Sequence, residues 1–249
     1  MQIKEKPRPE VISGSGAVVI TCDHASNAIP PELGGLGLPP DQLDRHIAYD
    51  IGAAAVARQL AERLDATAVF APVSRLVCDV NRDPQRQEPF PPVSDGIAIP
   101  GNQALQEAER QARLDAFFHP FHQAVEQAVA RAQAVHERVI LFAMHSFTPV
   151  MDGYERPWQI GFLYQHDPRL FQAFRDVLAA RYEFTIGDNQ PYSGSELYYT
   201  MDRHGQARDI PQVTVEVRQD LIAEGEGQAQ WAAILAQAVK DMAGHPALA

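Results

Sequence analysis

Short hydrophobic runs alternate with longer amphipathic segments along the chain. The runs are rich in β-branched and aromatic residues, which is typical of strands buried in a sheet. We predict strands at residues 17–21, 68–71, 138–144, 158–164 and 211–218, and extended chain from Ser74 to Val80. Apolar residues at helical spacing predict helices over residues 51–64, 102–138, 168–182 and 228–242, with a break in the second near Pro120.

Strands that alternate with helices favour an α/β fold of three layers, in which helices cover both faces of a central mixed, mainly parallel sheet. The length of 249 residues fits one large α/β domain or two small ones. Because no repeat, low-complexity tract or Gly/Ser linker divides the chain, we predict a single domain over residues 1–249. In such folds the functional site forms beyond the carboxyl ends of the strands.

Charge and composition exclude some partners. The formal net charge of −11 argues against nucleic acid, because phosphate binding requires a basic face. The hydrophobic runs are too short to span a membrane, and the polar N-terminus has no signal-peptide core, so we expect a cytoplasmic monomer or small homo-oligomer. The two cysteines, Cys22 and Cys78, are expected to be reduced and partly buried.

Polar clusters end several of the hydrophobic strands. Any one of them could be a capping or packing feature, but together they are hard to explain as packing, since a buried charge is costly unless it is paired or bound to a metal. The clusters are Cys22–Asn27, Ser74–Arg82, His145–Ser146 and Glu216–Arg218.

Two histidines indicate a metal site. Zinc commonly binds two imidazoles and one carboxylate and keeps one position open for water, so His24 and His145 are candidate ligands. For the third ligand we favour Asp50, which opens a predicted helix and could equally be a helix cap. The alternatives Asp23, Asp44 and His46 stay open.

Other side chains fit the remaining roles of a hydrolase. Glu216, on a β-branched strand, is either the general base or the partner of a neighbouring arginine. Arg75 is a candidate for stabilising an oxyanion, and Asn81 with Arg82 for binding a substrate carboxylate. Asn189 and Tyr192 lie in a loop that could line the pocket, although its turn chemistry alone would explain the glycines and prolines there.

The clusters resemble those of the N-formylglutamate amidohydrolase family from about Val18 to Leu221. More distantly, the pattern is similar to zinc carboxypeptidases and aspartoacylase-type deacylases. The motifs that carry the resemblance are Val18–Pro30, Asp50–Ala53, Ser74–Arg82, His145–Pro149, Gly187–Tyr192 and Val215–Arg218.

The resemblance implies a mixed sheet between helices and a set of roles. His24 and His145 would bind one zinc ion, and Glu216 would be the catalytic base. Asn81 and Arg82 would bind the substrate carboxylate, and Arg75 would assist the oxyanion.

One position departs from the distant relatives, which use His-x-x-Glu for two ligands. This chain has Asn27 three residues after His24, so either a carboxylate from elsewhere replaces the glutamate or the site binds metal weakly. The leading hypothesis is zinc-dependent hydrolysis of an N-acyl, specifically N-formyl, acidic amino acid such as N-formylglutamate. The alternatives are a non-catalytic binder of small carboxylates, which the missing glutamate motivates, and a thiol amidase based on Cys22.

Overall fold

A seven-stranded sheet runs through the centre of the structure, a computed structural model that describes residues 3–248. The strands are β1 (Glu10–Ile12), β2 (Val18–Cys22), β3 (Thr67–Phe70), β4 (Val93–Ser94), β5 (Ile97–Ala98), β6 (Ile140–Phe147), β7 (Val150–Met151), β8 (Tyr154–Glu155), β9 (Ile160–Leu163), β10 (Ile186–Asp188) and β11 (Gln212–Arg218). The α-helices are α1 (Ala53–Leu64), α2 (Glu107–Arg113), α3 (His119–Val135), α4 (Arg169–Ala179), α5 (Tyr199–His204) and α6 (Gly225–Asp241).

The sheet is mixed and mainly parallel, as predicted. Its strand order is β1-β3-β2-β6-β11-β9-β10. The four strands β3, β2, β6 and β11 are parallel, and β10 is parallel to β9. Only β1 against β3 and β9 against β11 are antiparallel within the described part of this sheet. The carboxyl ends of β2, β6 and β11 therefore meet at one edge, where the polar clusters lie.

Helices cover both faces, which confirms the three-layer prediction. Alternate residues of each strand enter different cores. Ile20 packs on one side with α1, α4 and α6, whereas Val19 packs on the other side with α3 and Met201 of α5. Strands β2, β3, β6, β9 and β11 are buried along almost their whole length, as expected for central strands between two helical layers.

Two local predictions were wrong. Residues 74–80 form turns, in which the backbone N–H groups of Val77 and Cys78 both donate to the Ser74 carbonyl. Leu76 and Val77 are fully buried, so a buried loop resembled a strand in composition. The long helix is not broken at Pro120. A π-helical turn, Leu114–Phe118, joins α2 to α3, and Pro120 is accommodated in the first turn of α3.

Both cysteines are free thiols in the structure, and both are fully rather than partly buried. Among residues 3–248, no helix is long and apolar enough to cross a membrane.

Candidate active site

Three neighbouring strands and one helix start bring the site together. His24 lies two residues beyond β2, His145 lies within β6, and Glu216 of β11 is in register with His145. Asp50 reaches the same place from the loop before α1, where its backbone N–H donates to the His24 carbonyl at 3.0 Å. Gly52 makes this approach possible, because it has a φ of 79° and a Cβ there would lie 2.1 Å from the Ile222 carbonyl oxygen.

His24, Asp50 and His145 form a buried cluster that could hold a metal ion. One ligand atom of each lies within 4.8 Å of the others. The Asp50 Oδ2 atom is 3.4 Å from His24 Nδ1 and 2.8 Å from His145 Nδ1. All three side chains are nearly inaccessible, with exposures of 3%, 5% and 3% respectively. The two histidines thus present the same ring nitrogen to one carboxylate.

The charge of this cluster and one of its two distances to Asp50 fit a divalent cation. Metal bonds of about 2.0–2.2 Å in a tetrahedron place ligand atoms about 3.3–3.6 Å apart. The distance of 3.4 Å from His24 to Asp50 matches this spacing, whereas the distance of 2.8 Å from His145 to Asp50 is that of a hydrogen bond. Burial alone would raise the pKa of Asp50, but the charges of His24 and His145 and their hydrogen bonds hold that pKa well below its usual range. The pKa of His145 is raised well above its usual value, since Asp23 and Asp50 outweigh its burial. The carboxylates therefore stabilise positive charge at this point.

Each imidazole also faces a second buried carboxylate. His24 Nε2 lies 2.8 Å from Asp79 Oδ1, and His145 Nε2 lies 3.4 Å from Asp23 Oδ2. A carboxylate behind a ligand histidine fixes the ring and its tautomer and makes the imidazole a better donor to a metal. The Nδ1 atoms are thereby left to face Asp50.

Glu216 lines the same cavity and has no salt-bridge partner among the described residues. Its exposure is 5%, and its Oε2 atom is buried without a hydrogen-bond partner in that part of the chain. Burial raises the pKa of Glu216 to about 7, an effect that His145 opposes and Asp50 reinforces. The alternative in which Glu216 simply pairs with a nearby arginine is therefore wrong. A carboxyl group that titrates near neutrality is suited to accept and return a proton.

Two arginines line the cavity beside the cluster. Arg75 lies 3.5 Å from Asp50 Oδ1 and 3.0 Å from Asp79 Oδ2. Arg82 donates to Asp79 only through its Nε atom, at 3.2 Å, and the side chain is 31% exposed. The terminal nitrogens of Arg82 are thus not used by Asp79. Asn81 also lines the cavity, and its side-chain oxygen accepts a hydrogen bond from the Thr200 backbone at 3.0 Å.

The cavity has a volume of about 190 Å³, which suits a small substrate. Tyr192 lines it, and the Arg156 guanidinium lies 4.9 Å from the centre of the Tyr192 ring. Asn189 is not among the lining residues. Its side-chain oxygen accepts from the backbone N–H groups of Tyr164 and Gly194, so it holds the loop instead. Of the two loop residues predicted to bind substrate, the structure places only Tyr192 at the cavity.

The other candidate ligands lie outside the cluster. Asp44 accepts a hydrogen bond from Asn27 at 3.3 Å, and His46 lies at the cavity rim, 3.7 Å from Asp95. Asp23 lies behind His145. Asn27 stands where the distant relatives have the glutamate, and its side-chain amide also donates to the Leu43 carbonyl. Asp50, a residue distant in sequence, is the carboxylate that lies beside both histidines.

Two buried carboxylates, Asp79 and Asp23, have contacts that the sequence patterns did not reveal. Asp79 stands out in the sequence only as part of the Ser74–Arg82 motif. The available signal is an acidic residue between Cys78 and Val80, both of which are buried. A buried carboxylate requires partners, but only the fold shows that these are His24 and the two arginines.

Known structures share this fold. A gene product of Agrobacterium tumefaciens is 38% identical to this chain, with a TM-score of 0.91 and coverage of 95% of both chains. An N-formylglutamate amidohydrolase from Ralstonia eutropha is 17% identical, with a TM-score of 0.65 and coverage of 96% of this chain and 97% of its own. No protein with curated function is a significant sequence match.

The three-layer fold and the buried histidine–carboxylate cluster at the strand ends are compatible with an α/β amidohydrolase, and a match to a family of amidohydrolases shows that class. The sequence profile of the N-formylglutamate amidohydrolase family matches residues 16–223. The chain belongs to that family, which confirms the resemblance seen in its motifs, and it is a hydrolytic enzyme.

Proposed function

We propose that the chain is a zinc-dependent enzyme that hydrolyses the amide bond of an N-acyl, specifically N-formyl, acidic amino acid such as N-formylglutamate. One observation carries the proposal: His24, Asp50 and His145 converge in the same cavity as Glu216, the unpaired carboxyl group. Family membership supports the amide bond as the target and N-formylglutamate as the model substrate.

A single zinc ion would be held by His24, Asp50 and His145, and it would supply Lewis acidity that polarises the carbonyl and makes water nucleophilic near neutral pH. Glu216 would accept the proton of the attacking water at its free Oε2 atom and later donate it to the leaving amine. Burial raises the pKa of Glu216 and so favours the protonated form, which is the form that returns the proton to the amine.

The two arginines would divide the recognition of substrate. Arg75 lies against Asp50 and is therefore near the reacting carbonyl, where a guanidinium stabilises a developing oxyanion. Arg82 would bind the carboxylate of the amino acid through its terminal nitrogens, with Asn81 beside it. Tyr192 would contact the substrate from another loop at the cavity.

The thiol alternative is disfavoured by the position of Cys22. The side chain is fully buried in the core under α1 and does not line the cavity. Burial, with Asp50 and Asp23 nearby, raises the pKa of the Cys22 thiol well above its usual value, whereas a nucleophilic cysteine needs a lowered one. The non-catalytic binder is also disfavoured, because Asp50 replaces the glutamate whose absence motivated it.

A release assay tests the proposal. The full chain, purified without chelator, is analysed for zinc and incubated with N-formyl and N-acetyl derivatives of glutamate, aspartate and leucine. We expect about one zinc per chain and formate release that is fastest with N-formylglutamate, is lost with a chelator and returns with zinc. Full activity in metal-free protein, or no release from any derivative, would contradict the proposal.

The cytoplasmic location and the oligomeric state stay predictions.

A further inference from the structure

We infer that Asp79 is a positioning residue that couples the metal site to the carboxylate-binding site through the two oxygens of one buried side chain. The inference rests on the proposed function, since it takes the roles of His24, Arg75 and Arg82 from it. Asp79 would thus neither bind the metal nor contact the substrate, and it would instead orient the residues that do.

The two oxygens of Asp79 have different partners. Oδ1 accepts from His24 Nε2 at 2.8 Å and from the Asn81 backbone N–H at 3.1 Å. Oδ2 accepts from Arg75 at 3.0 Å and from Arg82 at 3.2 Å. One carboxylate therefore contacts a candidate metal ligand, the candidate oxyanion residue and the candidate carboxylate-binding residue together.

The position of Asp79 leaves it little freedom. Its exposure is 1%, and its backbone N–H donates to the Pro89 carbonyl at 2.8 Å. Because both oxygens belong to one rigid carboxylate, rotation of the side chain displaces Oδ1 from His24 and Oδ2 from the arginines together. The orientation of the imidazole and that of the guanidiniums are consequently linked through the same torsion.

Asp23 provides a matched comparison. It is equally buried, with 1% exposure, and it faces the Nε2 atom of the other imidazole, His145, at 3.4 Å. It has no ion pair with an arginine among the described residues. Asp23 and Asp79 thus each face the Nε2 atom of a candidate ligand histidine, and only Asp79 also contacts the arginines.

Replacing Asp79 or Asp23 by asparagine distinguishes contact with a histidine alone from contact with a histidine and the arginines together. In Asp79→Asn, the oxygen can still accept from His24, but the amide then directs its N–H groups towards two guanidiniums and no longer offsets their charge. We expect zinc affinity to fall by about 10- to 100-fold, as for other residues behind a ligand histidine. We also expect the affinity for L-glutamate, the carboxylate product, to fall by roughly tenfold or more because Arg82 loses its fixed partner. In Asp23→Asn, only zinc affinity should fall.

The experiment measures both affinities in the full chain. Zinc affinity is obtained by competition with a chelator, and the Kd of L-glutamate by calorimetry at zinc concentrations that saturate every variant, as checked by elemental analysis. The inference is overturned if Asp79→Asn weakens L-glutamate binding no more than Asp23→Asn does. It is equally overturned if Asp79→Asn leaves zinc affinity unchanged.

Circular dichroism and thermal unfolding show whether each variant folds. If Asp79→Asn does not fold, Asp79→Glu keeps the charge and displaces the carboxylate by one methylene, and it should show the same paired losses at smaller size. Loss of only one of the two affinities in that variant would contradict the coupling. Formate release by the unmodified chain tests the proposed function separately, so either idea can fail without the other.

Discussion

Glu216 on β11 is in register with His145 on β6, so the candidate base and a candidate metal ligand project from the same row of the sheet. Parallel strands in register direct neighbouring side chains to the same face. The distance between Glu216 and His145 is therefore set by the sheet rather than by a loop. A rigid relationship of this kind is what a proton-transfer step requires.

The substitution Glu216→Gln tests the role of the base. The glutamine side chain would fill the same space but could not accept a proton, and we expect kcat to fall by about 10²- to 10⁴-fold, the usual contribution of general acid–base catalysis. Zinc content should not change, because the ligands are other residues. Formate release and elemental analysis of the same preparation measure both quantities. A variant that retains most of the original rate would exclude Glu216 as the base.

The pKa of Glu216 predicts the pH dependence of the reaction. The ionised carboxylate is the form that accepts a proton, and the charge of a bound zinc ion would favour that form. We therefore expect kcat/KM to rise with pH along a limb at or below the pKa of about 7 that Glu216 has in the metal-free chain, and then to level off. An ordinary glutamate would place this limb near pH ~4.3. Zinc content is measured across the same range as a control, because metal loss at low pH would produce a similar limb. A kcat/KM that is constant between pH ~4.3 and about 7 in fully loaded enzyme would contradict a raised pKa of Glu216 in that enzyme.

The fold was largely predictable because its signals are local. The strand that became β11 has a β-branched pattern over residues 213–217, and helix α1 has apolar residues at regular helical spacing. Both patterns follow from burial on a sheet or a helix face. The turns at residues 74–80 were not predictable, because Leu76 and Val77 owe their burial to tertiary packing and not to a strand.

The candidate site was only partly predictable. His24, His145 and Glu216 stand at or near the ends of recognisable strands, and that position together with the family resemblance pointed to them. The partners of buried carboxylates depend on contacts between residues far apart in sequence, such as His24 and Asp79, which are separated by 55 positions. The loop that contains Asn189 was correctly predicted to reach the cavity, because Tyr192 of that loop lines it. The Asn189 side chain, however, accepts hydrogen bonds from the backbone and does not line the cavity.

Arg82 should act on substrate binding more than on the chemical step. Its guanidinium is held at Nε by Asp79, and its terminal nitrogens are the part available to a carboxylate. Loss of a hydrogen bond to a charged group costs about 1.5–3 kcal/mol, so Arg82→Ala should raise KM roughly 10- to 100-fold with a smaller change in kcat. Arg86→Ala is the matched control, because Arg86 is 86% exposed and its ion pair is with Asp83. Equal KM values for Arg82→Ala and the unmodified enzyme would place the carboxylate elsewhere.

Cys22 offers a test that separates the metal mechanism from the thiol mechanism. The side chain is fully buried in the core that α1 covers, and it does not line the cavity. Cys22→Ala should therefore retain most of the activity per folded molecule while lowering the free energy of unfolding by about 1 kcal/mol, since it removes a small buried apolar group. Denaturant unfolding and formate release at the same protein concentration measure the two effects. Treatment of the unmodified chain with iodoacetamide under native conditions should likewise leave the rate unchanged, because Cys22 is inaccessible. Loss of turnover in folded, zinc-loaded Cys22→Ala would instead point to the thiol as the nucleophile.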